Sequence, residues 1–158
     1  MIGIHLLIIF FLSMLQESFL QIFAIRGFVP NLALAYLFAI LYFDKYQTKN
    51  DKLFLVYVFG ALIIDWMSGF YFPSKFIYLL IAYKIIDFIY SNFSKSFLSF
   101  LTSSFLAFCG YFVYNNLVIS FFEKNALANP VYGFYFAAYN IFFSMIFYFL
   151  LSHVKKIV

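Results

Sequence analysis

Residues 53–90 read LFLVYVFGALIIDWMSGFYFPSKFIYLLIAYKIIDFIY, and this stretch decides the fold. It contains two apolar runs, 53–72 and 76–90, separated only by a Pro-Ser-Lys turn. A transmembrane helix needs roughly 20 apolar residues, so each run is near the length required to cross a bilayer. The runs do not alternate as the strands of a membrane barrel would. The stretch therefore predicts two antiparallel transmembrane helices joined by a short turn.

The rest of the chain repeats this pattern. The sequence is 66% hydrophobic and 10% charged, with a mean hydropathy of +0.99, whereas soluble domains are about half apolar and about a quarter charged. We predict an all-α integral membrane protein, a single domain over residues 1–158 that forms a compact bundle of six transmembrane helices with short loops. The predicted spans are 2–25, 28–43, 53–72, 76–90, 97–122 and 131–152. The second and fourth are short, so five spans are an alternative.

The distribution of cations predicts the orientation of the bundle. With six spans, both termini share one side of the membrane with the second and fourth loops. That side carries Lys45, Lys49, Lys52, Lys95, Lys155 and Lys156, and the other carries Arg26, Lys75 and Lys124. The positive-inside rule then places both termini in the cytoplasm. Cations spread in this way indicate membrane topology and exclude a nucleic-acid binder.

Four ionisable residues fall inside predicted spans: Glu17, Asp65, Lys84 and Asp87. An intramembrane charge costs about 2.5 to 3.5 kcal/mol at the centre of a helix, so each needs a partner or a purpose. Lys84 and Asp87 are three residues apart on one helical face. We interpret them as a self-neutralising structural pair that fixes the depth of the helix, with snorkelling to the interface as the alternative.

Asp65 lies in a stripe of small residues on the third predicted helix. Ala61, Asp65 and Gly69 recur at four-residue spacing, and Gly60 widens the small surface. Small residues allow another helix to approach closely. Two interpretations of Asp65 remain open, a hydrogen bond that locks two helices together and the polar floor of a cavity. These four residues are candidates for binding a partner or lining a pocket.

Further polar residues lie on the first helix and toward the end of the chain. Gln16 and Glu17 form a polar stripe with Ser13 and Gln21 that faces either the interior of the bundle or a partner, so we include both among the candidate partner- or pocket-binding residues. In the last two helices the additional polar residues are Asn115, Asn116, Asn129 and Asn140. Together these side chains predict either a shallow outward-opening pocket or buried hydrogen bonds between helices.

The sequence predicts no enzymatic activity. No nucleophile elbow, zinc-protease or phosphate-binding-loop motif occurs. His5 and His153 have no Cys, Asp or Glu at the spacing of metal ligands, and Cys109 is the single cysteine. We therefore expect no catalytic residue, no metal and no cofactor.

Residues 53–90 resemble the middle of the rod shape-determining protein MreD family. That family's third helix has an apolar run with a glycine, then an aspartate and a small-residue turn, matched here by Gly60, Asp65 and Gly69. The stretch FVPNLALAYLFAILYF, residues 28–43, is similar to the family's second helix, which tends to open with a proline, here Pro30. Residues 72–74, Phe-Pro-Ser, depart from the family, which usually has a further glycine and a Leu-Gly pair there.

The resemblance implies a function and a set of partners. It implies a non-catalytic membrane subunit of the cell-elongation complex that binds MreC, a single-span coiled-coil membrane protein, in contact with membrane lipid. Through MreC it implies an indirect link to RodA, the penicillin-binding transpeptidase and MreB, and a role in cell shape and lateral peptidoglycan synthesis. The alternative is the substrate-binding S-component of an energy-coupling-factor vitamin transporter, although the first helix lacks that class's small-residue docking stripe.

Overall fold

The structure, a computed structural model, describes residues 2–18, 29–43, 51–67, 73–92, 97–123 and 129–157. These ranges contain six α-helices and no strand. The helices are α1 (Ile2–Ser18), α2 (Leu32–Phe43), α3 (Asp51–Met67), α4 (Ser74–Asn92), α5 (Phe97–Glu123) and α6 (Pro130–Ile157). The prediction of an all-α chain with six helices in this order is confirmed.

The helices differ in their capacity to cross a membrane alone. Within the described residues, two apolar segments are long enough, Leu98–Phe122 in α5 and Val131–His153 in α6. The apolar segments of α1, α2 and α3 are shorter, and the 19 residues of α4 include Lys75, Lys84 and Asp87. By length and composition two helices, not the six predicted, therefore qualify as spans.

Several helix boundaries differ from the predicted spans. Residues 29–31 precede α2 and are not helical, although the predicted span began at residue 28. Helix α4 extends beyond the predicted 76–90 at both ends, because its first turn begins directly after Pro73. Helix α6 continues past the predicted residue 152 to Ile157. Residues 19–25 and 68–72 of the predicted spans lie outside the described residues.

Helix α2 forms the centre of the bundle. Residues 33–42, ten in succession, are buried, so the helix is covered on every side. It packs against α1, α3 and α6. Two edge-to-face ring pairs connect it to α5. The ring centroids of Phe38 and Phe108 are 4.9 Å apart, and those of Tyr42 and Phe100 are 4.3 Å apart. Helix α4 packs against α3 and α5. The aromatic and small side chains of α2 thus supply the middle of the core.

Gly60 of α3 lies close to side chains of α1 and α2. A Cβ atom at Gly60 would lie 2.7 Å from Ile9 Cδ1 and 2.8 Å from Leu37 Cδ2. Real Cβ atoms do not approach other carbons this closely, so a side chain at position 60 would require the ends of the Ile9 and Leu37 side chains to shift. The three helices are thus closely packed around Gly60.

Candidate functional site

Asp65 is buried at the junction between α3 and α4. Its side chain is only 1% exposed. The backbone N–H of Lys75 donates a hydrogen bond to Oδ1 at 3.0 Å, and the backbone N–H of Phe76 donates to Oδ2 at 2.7 Å. One carboxylate therefore satisfies two of the N–H groups that the first turn of a helix leaves without an intrahelical acceptor.

The sequence around Pro73 explains why α4 needs a remote acceptor. The carbonyl of Pro73 accepts a hydrogen bond from the N–H of Ile77 at 3.0 Å, so the proline occupies the position before the first helical residue. Ser, Thr, Asp or Asn normally supplies a side-chain oxygen at this position, and proline has none. Asp65 supplies the missing oxygens from the preceding helix. Its negative charge also interacts favourably with the positive end of the α4 dipole.

Tyrosines of α4 and α5 surround this junction. The Tyr78 hydroxyl donates a hydrogen bond to the backbone carbonyl of Ala107. Its ring contacts those of Tyr111 and Tyr114, with centroids 5.3 and 5.4 Å away. The phenols of Tyr111 and Tyr114 lie close enough to the Asp65 carboxylate to interact with it electrostatically. Asp65 is thus part of a polar and aromatic cluster that joins α3, α4 and α5.

This tyrosine cluster was not among the residues predicted from the sequence to form a site. A Cβ atom at Gly110 would lie 2.9 Å from the Tyr78 hydroxyl oxygen, so α4 and α5 approach closely there. Ala107, Gly110, Tyr111 and Tyr114 recur at spacings of three, one and three residues, which places them on one face of α5. That spacing is visible in the sequence, but 14 tyrosines and 27 phenylalanines give many equivalent patterns.

A second polar junction joins the start of α2 to α6. The Asn31 side-chain oxygen accepts a hydrogen bond from the N–H of Leu34 at 3.0 Å, as a helix N-cap does. The backbone N–H of Asn31 donates to Oδ1 of the buried Asn140 at 2.7 Å. One turn further along, the buried Ser144 hydroxyl donates to the carbonyl of Ala35 at 3.0 Å. Helix α6 therefore holds the first turn of α2 with two side chains.

The other site residues predicted from the sequence lie at other positions in the bundle or outside the described residues. Pro30 is buried directly before α2, and Gly60 and Ala61 are buried inside the bundle. Gln16 is half-buried, and its Oε1 is buried with no hydrogen-bond donor among the described residues. Glu17 belongs to α1, but its side chain lies outside the described part of the structure, as does Gly69. The small residues described here face neighbouring helices of the same chain.

Three of the asparagines toward the end of the chain have separate hydrogen-bond partners. Asn116 donates to the carbonyl of Phe112 in its own helix at 2.7 Å, and Asn129 accepts from the N–H of Val131 at 3.0 Å. Asn140 binds α2 and also donates to the carbonyl of Phe136 at 2.8 Å. These three side chains stabilise helix backbones in separate places, and the prediction of a shared outward pocket receives no support from them.

Lys84 and Asp87 lie on the outer side of α4. Lys84 is exposed, and Asp87 is half-buried. An open, apolar groove of about 510 Å³ lies here, and it is lined by Leu80, Ile81, Lys84, Ile85 and Phe88. The pairing of Lys84 with Asp87 stays a prediction.

No three His, Cys, Asp or Glu side chains of the described residues come together in a way that could hold a metal ion. His5, at the beginning of α1, has its Nδ1 2.8 Å from the Tyr36 hydroxyl of α2, so it contributes to the contact between these helices. The expectation of no metal and no cofactor stays a prediction.

Several of the described polar side chains therefore bind backbone groups either of their own helix, as Asn116 does, or of a neighbouring helix, as Asp65 and Ser144 do. Comparison of the chain with protein-family models, curated proteins and solved structures finds no match.

Proposed function

We propose that this protein is a non-catalytic, multi-pass subunit of the bacterial inner membrane that binds the single-span protein MreC. In this role it supports lateral peptidoglycan synthesis and cell shape, in the manner of the MreD family. One observation carries the proposal. Three of the four residues that carry the resemblance to that family, Pro30, Gly60 and Asp65, are buried in the bundle. Gly60 and Asp65 lie where helices meet, and the fourth residue, Gly69, lies outside the described part of the structure.

The outer surface of the bundle supports a membrane environment. Large apolar side chains are exposed on five of the six helices, the exception being α2. Examples are Leu7 of α1, Trp66 of α3, Phe88 of α4, Phe121 of α5 and Phe134 of α6. Soluble monomers rarely expose large contiguous apolar surfaces, whereas lipid chains solvate them well. We therefore propose that the whole bundle, including its shorter helices, is embedded in the bilayer.

The short length of α2 is compatible with this proposal. Its 12 residues span about 18 Å, compared with about 30 Å of hydrocarbon. Non-helical backbone is tolerated at membrane depth when it is buried in protein and its polar groups are satisfied. Asn31 and Asn140 supply such hydrogen bonds at the start of α2. A central helix covered by its neighbours does not need to span the hydrocarbon layer alone.

The proposed orientation places both termini in the cytoplasm. In that orientation α3 ends and α6 begins on the outer side of the membrane. Trp66 lies at the end of α3, and Tyr132 and Tyr135 lie at the start of α6, all with exposed rings. Trp and Tyr are enriched at membrane interfaces, so these rings suit the outer interface.

The use of the interior polar groups favours a binding role. Asp65, Asn140 and Ser144 direct their oxygens to backbone groups of neighbouring helices. Side chains committed to fixing helices give a rigid scaffold. Such a scaffold offers its outer helical faces to the transmembrane helix of a partner, which is the role that MreC binding requires.

Co-purification with a defined partner tests the proposal. The chain, tagged at its C-terminus, would be co-expressed with MreC from the same genome and purified in mild detergent. We expect a stable complex with MreC, and we expect depletion of the chain to convert rod-shaped cells into round ones. Recovery of the chain with the ATPase-containing module of a vitamin transporter would favour the S-component alternative and contradict the proposal.

A further inference from the structure

The outward face of α4 has the spacing of a helix-binding seam. Ile77, Ile81, Lys84 and Phe88 follow one another at intervals of four, three and four residues, and all four side chains are exposed. Intervals of this kind are those of the a and d positions in a heptad repeat, which face a partner helix in a coiled coil. We call these four residues, together with the adjacent Ile85, the α4 seam. The open groove described above lies along it.

The charge in the middle of the α4 seam needs a partner. Lys84 is ten residues after Ser74 and eight before Asn92, which places it about 15 Å and about 12 Å from the two helix ends. In a helix the Cα–Cβ bond is tilted toward the N-terminus. The Lys84 side chain is therefore directed away from the C-terminal end of α4, which is the nearer of the two ends. Snorkelling to an interface is therefore difficult from this position.

The neighbouring carboxylate does not remove this requirement. Asp87 is three residues further along and half-buried, at the edge of the seam. Ion pairs between residues three apart on a water-exposed helix contribute only about 0.2 to 0.5 kcal/mol, compared with about 2.5 to 3.5 kcal/mol for the cost of one intramembrane charge. An ammonium group that faces outward at mid-membrane depth is better stabilised by a carboxylate on another helix.

We propose that the α4 seam is the docking site for a transmembrane helix that carries one Asp or Glu at the depth of Lys84. The heptad spacing fits a helical partner, and the exposed ammonium fits an acidic one. A single polar residue at such a position also fixes the register of two helices. This inference rests on the proposed function, because it takes the chain to be a membrane subunit with a single-span partner.

The first experiment uses two synthetic helices as probes. Each is a stretch of about 20 leucines with lysines at its ends, and one carries a central Glu where the other carries Gln. The full chain and its Lys84→Gln variant would be reconstituted in phosphatidylcholine vesicles, with binding followed by energy transfer. We expect the Glu helix to bind the unmodified chain about threefold to fifteenfold more tightly than the Gln helix, as for interhelical polar contacts in membranes.

The comparison between variants decides the outcome of this experiment. We expect the preference for the Glu helix to disappear in Lys84→Gln and to persist in Lys84→Arg. The control variant Leu106→Gln introduces the same side chain at an exposed position of α5 and should leave the preference unchanged. An equal preference in the unmodified chain and in Lys84→Gln would overturn the docking proposal.

A second experiment separates this inference from the proposed function. A photo-crosslinking residue at Ile81, with Leu106 as the control position, would be activated in membranes that contain MreC. Crosslinking of MreC from position 81, but not from the control position 106, would support the docking site. If MreC co-purifies but Ile81 crosslinks only phospholipid, the docking proposal fails and the proposed function stands. If the synthetic Glu helix requires Lys84 but MreC does not co-purify, the docking proposal stands and the proposed function fails.

Discussion

Helices α2 and α4 both begin just after a proline, but their first turns are stabilised in different ways. Helix α2 follows Pro30 and Asn31, and Asn31 is its own N-cap, with its side-chain oxygen 3.0 Å from the N–H of Leu34. Helix α4 follows Pro73, and both capping oxygens come from Asp65 of the preceding helix. The first turn of α2 therefore carries its cap in its own sequence, whereas that of α4 depends on α3.

This difference shows how two kinds of cap contribute to the bundle. A local cap stabilises a helix whether or not its neighbours are in place. A remote cap forms only when two helices have packed, so it stabilises their packing as well as the helix. Helix α2 combines both, because Asn140 of α6 accepts the N–H of its cap residue. The following predictions test the relative importance of these contacts.

The largest effect is expected for Asp65→Leu. The backbone N–H groups of Lys75 and Phe76 would lose a charged acceptor, and burial would prevent water from replacing it. We expect the free energy of unfolding to fall by about 2 to 4 kcal/mol. The measurement is denaturant-induced unfolding in detergent, followed by circular dichroism. The control is Trp66→Leu at the adjacent exposed position, which should change stability by less than about 0.5 kcal/mol.

Asn140→Leu should have the second largest effect. The N–H of Asn31 would lose its acceptor in a buried place, at a cost of about 1 to 3 kcal/mol in the same unfolding measurement. Asn116→Leu is the matched control, because among the described residues the Asn116 side chain donates its hydrogen bond to the carbonyl of Phe112 in its own helix. Equal losses for both variants would show that the contact between α6 and α2 contributes nothing specific.

Asp65→Asn should have a smaller effect than Asp65→Leu. The amide keeps one acceptor oxygen, so it can satisfy only one of the two N–H groups that the carboxylate binds. We expect a loss of about 1 kcal/mol, the typical contribution of one hydrogen bond. A loss as large as that of Asp65→Leu would mean that the negative charge at the start of α4, rather than the number of hydrogen bonds, dominates.

The smallest effect is expected for Asn31→Ser. Serine is about as good an N-cap as asparagine, and the backbone N–H that binds Asn140 is retained. The free energy of unfolding should change by less than about 0.5 kcal/mol, whereas Asn31→Ala should lower it by about 1 kcal/mol. Similar losses for serine and alanine would contradict the assignment of Asn31 as a local cap.

The order of the helices could be predicted from the sequence because it depends on local features. Long apolar runs interrupted by charged and turn residues indicate helices, and the predicted start of α5 at residue 97 agrees with the structure. The start of α2 could also have been read from Pro30 and Asn31, which together form a helix-start signal. The predicted span at residue 28 overlooked this signal because Phe28 and Val29 continue the apolar run.

The central position of α2 and the partners of Asp65 could not be predicted in this way. Amphipathic patterns distinguish inner from outer helices in soluble proteins. Here Leu, Ile and Phe occur on both buried and lipid-facing sides, so that contrast is lost. Asp65 binds backbone N–H groups, which every residue except proline carries, and no sequence pattern identifies them. The position of such a contact follows only from the packing of α3 against α4.

The hydrogen bond between Asn31 and Asn140 has a consequence for biosynthesis. The two residues are 109 positions apart, so at about 5 to 20 residues per second a ribosome makes the second roughly 5 to 20 s after the first. Until α6 has left the translocon, the cap residue of α2 must use another acceptor, such as water at the membrane surface. The hydrogen bond that fixes the first turn of α2 against α6 can therefore form only after the last helix has been synthesised and inserted.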